Sequence, residues 1–274
     1  MSDRMLTMSA VKYKTGIALS GGGIRGLCHA GVIKALEEHG IVPEIFSGVS
    51  AGAIVAALYA DGYTPDEIAL LFEDVSFSKL TRFQFQAGGV FSISSFQRFM
   101  SQTLRAKTFE ELNIPVYIVA TDLDNGKTVE FSSGNLIHPL VASCTVPVLF
   151  SPKRIRGINY VDGGVFKNFP VSTIRPYCEN LIGINASPLI ATQYKLSVFD
   201  VAQRTYHFMF KANILHDKEL CDLLIEPADM SHYDMFDVQK GREIFELGYL
   251  SAKKLLESNQ NNEIAKFINT PSLA

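Results

Sequence analysis

Ser50 lies between two glycines in Gly48-Val49-Ser50-Ala51-Gly52. A short apolar run, Glu44-Ile45-Phe46-Ser47, leads into it, and an alanine-rich segment, Ala51 to Ala60, leads away. The pattern predicts a strand, a sharp turn and a helix. A serine at the tip of such a turn has its hydroxyl pushed out of the sheet with a helix N-terminus directly behind it. A Cβ at either flank would clash where the chain reverses, so Gly48 and Gly52 belong to the same device, a nucleophile elbow. Ser50 is therefore a candidate nucleophile. Taken alone, the same five residues also suit a Gly-Ser turn that merely caps a helix.

An activated serine needs donors for a developing oxyanion and a general base. Donors are offered by Gly21-Gly22-Gly23-Ile24-Arg25-Gly26, which follows the apolar run Gly16-Ile17-Ala18-Leu19-Ser20 and precedes a helical pattern. Free backbone N–H groups at a helix N-terminus suit any anion. The loop also reads as G-x-G-x-x-G, so a dinucleotide site is an alternative. That fingerprint needs an acidic residue about 20 residues on, at the end of the second strand. Here that strand ends in Ser47-Gly48, and its one acid, Glu44, lies at its start.

Six histidines are candidates for the base: His29, His39, His138, His207, His216 and His232. A Ser-His-Asp order would nominate His232, on a late loop. None is flanked by the small and turn residues of a strand-end catalytic loop, and packing or surface positions suit all six. Asp162 fits better, because Tyr160-Val161-Asp162-Gly163-Gly164 ends a strand in a glycine turn at the expected level of Ser50. A carboxylate with a reference pKa of about 3.9 is a feeble base in water. Held against a hydroxyl in a partly desolvated cleft, it gains basicity and is spared the entropy of encounter. The plainer reading of Asp162 is an Asp-Gly turn bonding its own backbone.

The elements that must position these groups follow from periodicity and punctuation. A helix from about Leu27 to His39, capped by Gly40, joins the first two strands in a βαβ start, which implies a parallel sheet covered by helices. Thr64-Pro65-Asp66-Glu67 is a capping box opening a helix to about Phe72, and Thr108-Phe109-Glu110-Glu111 is a second box on a short helix. Pro115 to Asp122 reads as a buried strand, with a tight turn at Asn125-Gly126 into Thr128 to Phe131. A short helix ends at Leu140 to Ser143, and Leu181 to Ala186 is a further strand. The last third alternates a helix (about Ser197 to Leu215), a strand (Asp222 to Glu226) and a final helix (about Gln239 to Glu257). Ile244, Leu247, Leu250 and Leu255 are expected on one face of the final helix. Val75 to Met100 carries Phe77, Phe83, Phe85, Phe91, Phe96 and Phe99 around Gly88-Gly89. These rings either fill the core beneath a helical excursion or form a mobile aromatic cover or lipid-contact patch.

Composition narrows the function class. The 274 residues are 47% hydrophobic and 19% charged with net charge −3, which argues against disorder and, with no basic stripe, against nucleic acid as a partner. Met1 to Thr15 lacks the apolar core of a signal peptide, and Ala51 to Ala60 is too short to span a bilayer. A soluble, cytoplasmic protein is expected, with peripheral membrane contact compatible with the composition. Cys28, Cys144, Cys178 and Cys221 have no paired spacing for zinc or a redox couple. No linker or repeat divides the chain. One domain over residues 1–274 is expected, with its motifs at about 16–170 and peripheral ends at 1–15 and 259–274.

Four ordered blocks resemble the patatin-like phospholipase family: Gly21 to Gly26, Gly48 to Gly52, Ala142-Ser143-Cys144-Thr145-Val146-Pro147, and Asp162-Gly163-Gly164. The resemblance runs from about Gly16 to Pro170. It implies an α/β fold, a three-layer α/β/α sandwich around a mostly parallel sheet, and a Ser-Asp dyad in place of a triad. It implies that Ser50 attacks an ester carbonyl, that Asp162 accepts its proton, and that the Gly21, Gly22 and Gly23 amides hold the oxyanion. Arg25, Gly26, Gly48, Gly52, Gly163 and Gly164 support the motifs, and Ala142 to Pro147 builds the wall of the site. The implied substrate is a lipid or other acyl ester, with no cofactor and no metal. A catalytically weak lipid- or partner-binding protein on the same fold is the alternative.

Overall fold

The computed structural model describes residues 11–73, 82–86, 89–188, 201, 205, 208, 214–235, 237–258 and 264–268. Most of the expected helix from Ser197 to Leu215 lies outside the described residues, although 214–219 is helical. Strands β1 (Tyr13–Leu19), β2 (Ile45–Val49), β5 (Val116–Asp122), β9 (Cys178–Ile184) and β10 (Leu223–Ile225) run parallel, in the spatial order β10-β9-β1-β2-β5. Beyond β5 the sheet turns antiparallel. Both β6 (Lys127–Phe131) and β8 (Ile158–Asp162) pair with β5, and β7 (Lys153–Ile155) pairs with β8.

Alternation along the strands feeds two faces. Ile17, Leu19, Phe46, Ile182 and Ile184 face the larger core, which α1 (Leu27–Glu38), α2 (Ala51–Ala60), α3 (Pro65–Glu73) and α7 (Gly241–Ser258) complete. Ala18, Ile45 and Leu181 face the other side, against Phe169, Ile214 and the short α6 (Val171–Ile174). A sheet with helices on both faces is the three-layer architecture expected for parallel strands joined by crossovers. Helix α2 is apolar all round and buried apart from Tyr59, as its sandwiched position requires.

Several boundaries match the sequence signals. Thr64 and Glu67 exchange the reciprocal bonds of a capping box, Thr64 N–H to Glu67 Oε2 at 2.8 Å and Glu67 N–H to Thr64 Oγ1 at 3.2 Å. Gly40, at φ 72°, closes α1. Other expectations are corrected. The second capping box does not form: Thr108 caps nothing with its side chain, which bonds Glu110, and Glu111 accepts the Lys107 N–H at 2.6 Å. The β5–β6 loop spans four residues, since Asp122 pairs with Lys127 and its Oδ1 takes the Asn125 N–H at 2.9 Å. In α7 the buried side is Ile244, Phe245, Gly248, Ala252 and Leu256, while Leu250 is exposed.

The Phe-rich excursion contains an antiparallel hairpin, β3 (Arg82–Gln86) with β4 (Gly89–Ser92), followed by α4 (Ser94–Thr103). Phe96 and Phe99 pack against the larger core. The side chains of Phe77, Phe83, Phe85 and Phe91 lie outside the described residues.

Candidate active site

Ser50 sits at φ 52° and ψ −123°, one of three non-glycine residues with positive φ among those described. The cause is local. Strand β2 is buried along its whole length and α2 starts at Ala51, so the chain must reverse within one residue. A side chain at Gly52 would run into the Leu19 carbonyl and lie 2.6 Å from that of Ser20, so α2 can start there only from a glycine. Ser143, at the end of α5 (Ile137–Ser143), braces the turn. Its Oγ accepts the Ser50 N–H at 2.8 Å and donates to the Val119 carbonyl at 2.6 Å. The Ser50 carbonyl takes the Ile54 N–H at 3.1 Å, opening the helix.

Asp162 reaches this turn by the register of β5. Val49, the last residue of β2, pairs with Val119, and the next position, Ala120, pairs with Asp162. Strand β8 thus takes over the edge of β5 where β2 leaves it, and it delivers Asp162 beside the elbow from the opposite direction. The expected glycine turn is present, but the strand carrying it is antiparallel. Asp162 is 2% exposed, its Oδ1 takes the Gly164 N–H at 2.8 Å, and its own N–H donates to Thr145 at 2.8 Å. The Asp-Gly turn is realised, and the register sets Asp162 one position along β5 from the end of β2. Cys144 lies close by: burial, reinforced by the Asp162 charge, pushes its thiol pKa well up.

The glycine loop lies against the elbow. A methyl group on Gly21 would lie 3.4 Å from Ser50 Cβ and would overlap Asn168 Oδ1. Asn168 is buried, and its backbone carbonyl accepts the Gly21 N–H at 3.0 Å. One of the three expected donors, Gly21, is therefore committed to the protein. Gly22 and Gly23 open the first turn of a 3-10 segment, Gly23–Gly26, where N–H groups have no intrahelical acceptor. Gly23 has φ 61° and abuts the Met235 carbonyl, which also accepts the Ile24 N–H at 2.9 Å. Arg25 is tied to the late chain: its Nε donates to the Tyr233 carbonyl at 2.8 Å, while burial lowers its pKa and Asp234 opposes that shift. Residues 233–235 thus fasten the loop from the late chain. Ser143, Asn168 and Met235 are the participants that local pattern did not single out for a role at the site. Ser143 and Asn168 stand inside or just after quoted blocks, and Met235 has no local signal.

The histidines stand apart from this arrangement. His232 is exposed, 3.9 Å from Asp229, and His216 is exposed on 214–219. His39 bonds Ala35 within its own helix at 2.7 Å, and His138 is half-buried on α5. His207 lies outside the described residues. His29 is fully buried, with Nε2 2.8 Å from the Ser20 carbonyl, so Nε2 carries the proton and Nδ1 is bare. Burial lowers its pKa to about 4, against a smaller upward pull from Ser20. The unfolded chain, at about 6.5, then binds a proton before the folded one does. Stability is complete above about pH 6.5 and is lost as pH falls from there through 4, by up to about 1.4 kcal/mol per pH unit. Urea unfolding at pH 7 and pH 5 should show this loss in the wild type and a smaller one in His29→Gln. Among the described residues, no three His, Cys, Asp or Glu side chains are placed to hold a metal ion.

Strand-turn-helix with a positive-φ serine, an adjacent glycine loop and an aspartate from the neighbouring strand define an α/β protein of the elbow type. The patatin-like phospholipase family model matches residues 17–174, and the chain belongs to that family. An uncharacterised NTE family protein of Mycobacterium tuberculosis is 32% identical over 181 residues, covering 65% of this chain and 48% of that protein. Uncharacterised protein YqhO of Bacillus subtilis is 31% identical over 185 residues, covering 56% of this chain and 64% of that protein. The chain thus spans about half to two thirds of the length of these relatives. The fold is similar to that of VipD from Legionella pneumophila, with a TM-score of 0.60 at 16% identity over 91% of this chain and 68% of that one. Among the described residues, no helix is long and apolar enough to cross a membrane.

Proposed function

We propose that this protein is a serine lipid acyl hydrolase, cleaving carboxylic esters of phospholipids, lysophospholipids or related acyl esters. The observation that carries the reading is the left-handed backbone of Ser50, at φ 52°, on the strand-to-helix turn beside Asp162. A non-glycine residue held there is strained, and such strain is found where a side chain must be presented. Membership of the patatin-like phospholipase family supports the same class of chemistry.

In this mechanism Ser50 Oγ attacks the ester carbonyl carbon while Asp162 takes the hydroxyl proton. The carbonyl oxygen becomes an oxyanion, held by the N–H groups of Gly22 and Gly23, fixed dipoles that need no reorganisation. Collapse breaks the ester C–O bond, and Asp162 returns its proton to the leaving alcohol. Water then attacks the acyl-Ser50 ester with Asp162 again as base, freeing the fatty acid. Gly21 sets the loop through its bond to Asn168 and donates nothing to the substrate.

Intact mass after incubation with a fluorophosphonate probe tests this reading. Wild type is expected to gain one adduct and Ser50→Ala none. A folded wild type that gains none removes the hydrolase assignment and leaves a lipid- or partner-binding role on the same fold.

A further inference from the structure

After β9 ends at Ile184, Asn185-Ala186-Ser187 passes directly beneath the glycine loop. Ser187 is 9% exposed, and its Oγ donates to the Gly21 carbonyl at 2.8 Å. Ser20 Oγ donates to the same carbonyl at 3.1 Å and itself accepts the Ala186 N–H at 2.9 Å. Both acceptor positions of that oxygen are therefore taken. A trans peptide is planar, so the N–H of Gly22 points opposite to the carbonyl of Gly21. Pinning the oxygen aims the hydrogen.

The contact is tight and is supported from behind. A methyl group on Gly22 would lie 2.7 Å from Ser187 Oγ. The Ser187 N–H donates to Asn185 Oδ1 at 3.1 Å, and Asn185 is fully buried. Asn185 Nδ2 donates to Glu226, which pairs with Lys218 near the surface. A continuous polar line thus runs from an ion pair beside β10 to the Gly21–Gly22 peptide.

We infer that Ser187 is a positioning residue: its hydroxyl holds the Gly21–Gly22 peptide so that the Gly22 N–H faces the developing oxyanion. The inference rests on the proposed role of Gly22 in ester hydrolysis. A donor that swings through several orientations loses the preorganisation that makes an oxyanion hole effective, and outright removal of one donor costs about 100- to 1,000-fold in kcat. Loosening the donor should cost less than removing it. The effect belongs in kcat, because ground-state ester binding uses the donor weakly.

The test compares wild type, Ser187→Ala, Ser187→Cys and Ser50→Ala on p-nitrophenyl butyrate, with fluorophosphonate capture rates and Tm measured alongside. Ser187→Ala is expected to lower kcat about 10- to 100-fold, with KM within about twofold. The rate of capture, which also develops charge on an oxygen in the hole, should fall by the same factor. Ser187→Cys, close in size with a weak S–H donor, should fall between the two, and it decides the matter if the alanine variant does not fold. Unchanged kcat, or a loss confined to KM, overturns the role of Ser187. If Ser50→Ala keeps full activity, or wild type neither turns over nor is captured, the hydrolase reading itself falls. If Ser50→Ala is dead while Ser187→Ala is fully active, only the present inference falls.

Discussion

Asp162→Asn is expected to lower kcat on a short soluble ester by about a thousandfold or more, with the fold intact. Asparagine keeps an oxygen where Asp162 accepts the Gly164 N–H at 2.8 Å, so the turn that ends β8 should survive. What it loses is the ability to take a proton from Ser50 in the transition state. The residual rate then depends on hydroxide and should climb about tenfold per pH unit. A stopped assay from pH 5 to pH 9, with circular dichroism to verify folding, reads both effects. A loss below about tenfold would assign the base elsewhere, since positioned general bases contribute at least about a hundredfold.

Three of the four blocks, like the capping box outside the site, were legible because each is a local solution to a local problem, whereas Ala142 to Pro147 stood out only through the family resemblance. Glycines around Ser50 and after Asp162, a glycine run before α1, and a capping box at Thr64 each announce a backbone conformation within five or six residues. What local pattern could not supply is how distant pieces lock together. Ser143 holds the Ser50 N–H across 93 positions, and Arg25 reaches Tyr233 across 208. No spacing rule encodes such pairs, which depend on the order of strands in the sheet. The direction of β8 was hidden for the same reason: a strand ending in Asp-Gly-Gly looks alike whether it runs with β5 or against it. Hydrophobic periodicity found Ile244, Leu247 and Leu255 on the packed side of α7 but wrongly added the exposed Leu250 and passed over Gly248. A side chain at Gly248 would run into the Cys28 carbonyl, and one at Gly31 into that of Phe245. Where two helices cross this closely, a glycine is required at the point of contact, and a hydrophobicity pattern does not register it.

Ser50→Gly should give a protein that is more stable and inactive. Holding an L-residue at φ 52° and ψ −123° costs on the order of 1–3 kcal/mol. Glycine adopts that conformation without a Cβ clash, while the extra freedom of its unfolded chain takes back about 0.5–1 kcal/mol. The strain term is the larger, so Ser50→Gly should exceed both wild type and Ser50→Ala by about 1 kcal/mol, or roughly 2–4 °C in Tm for a chain of this size. Ser50→Ala keeps the Cβ and the strain and so separates the backbone effect from loss of the hydroxyl. Both variants should lose at least about four orders of magnitude in kcat, as removal of a catalytic serine does in other hydrolases. Urea unfolding of the three proteins, beside their turnover of p-nitrophenyl butyrate, measures the two quantities together. A glycine variant no more stable than the alanine one would mean that the elbow is relaxed, and the strongest physical ground for placing the nucleophile at Ser50 would go with it. Stability gained as activity is lost would show that the fold tolerates a strained residue at this position because the reaction needs the hydroxyl held there.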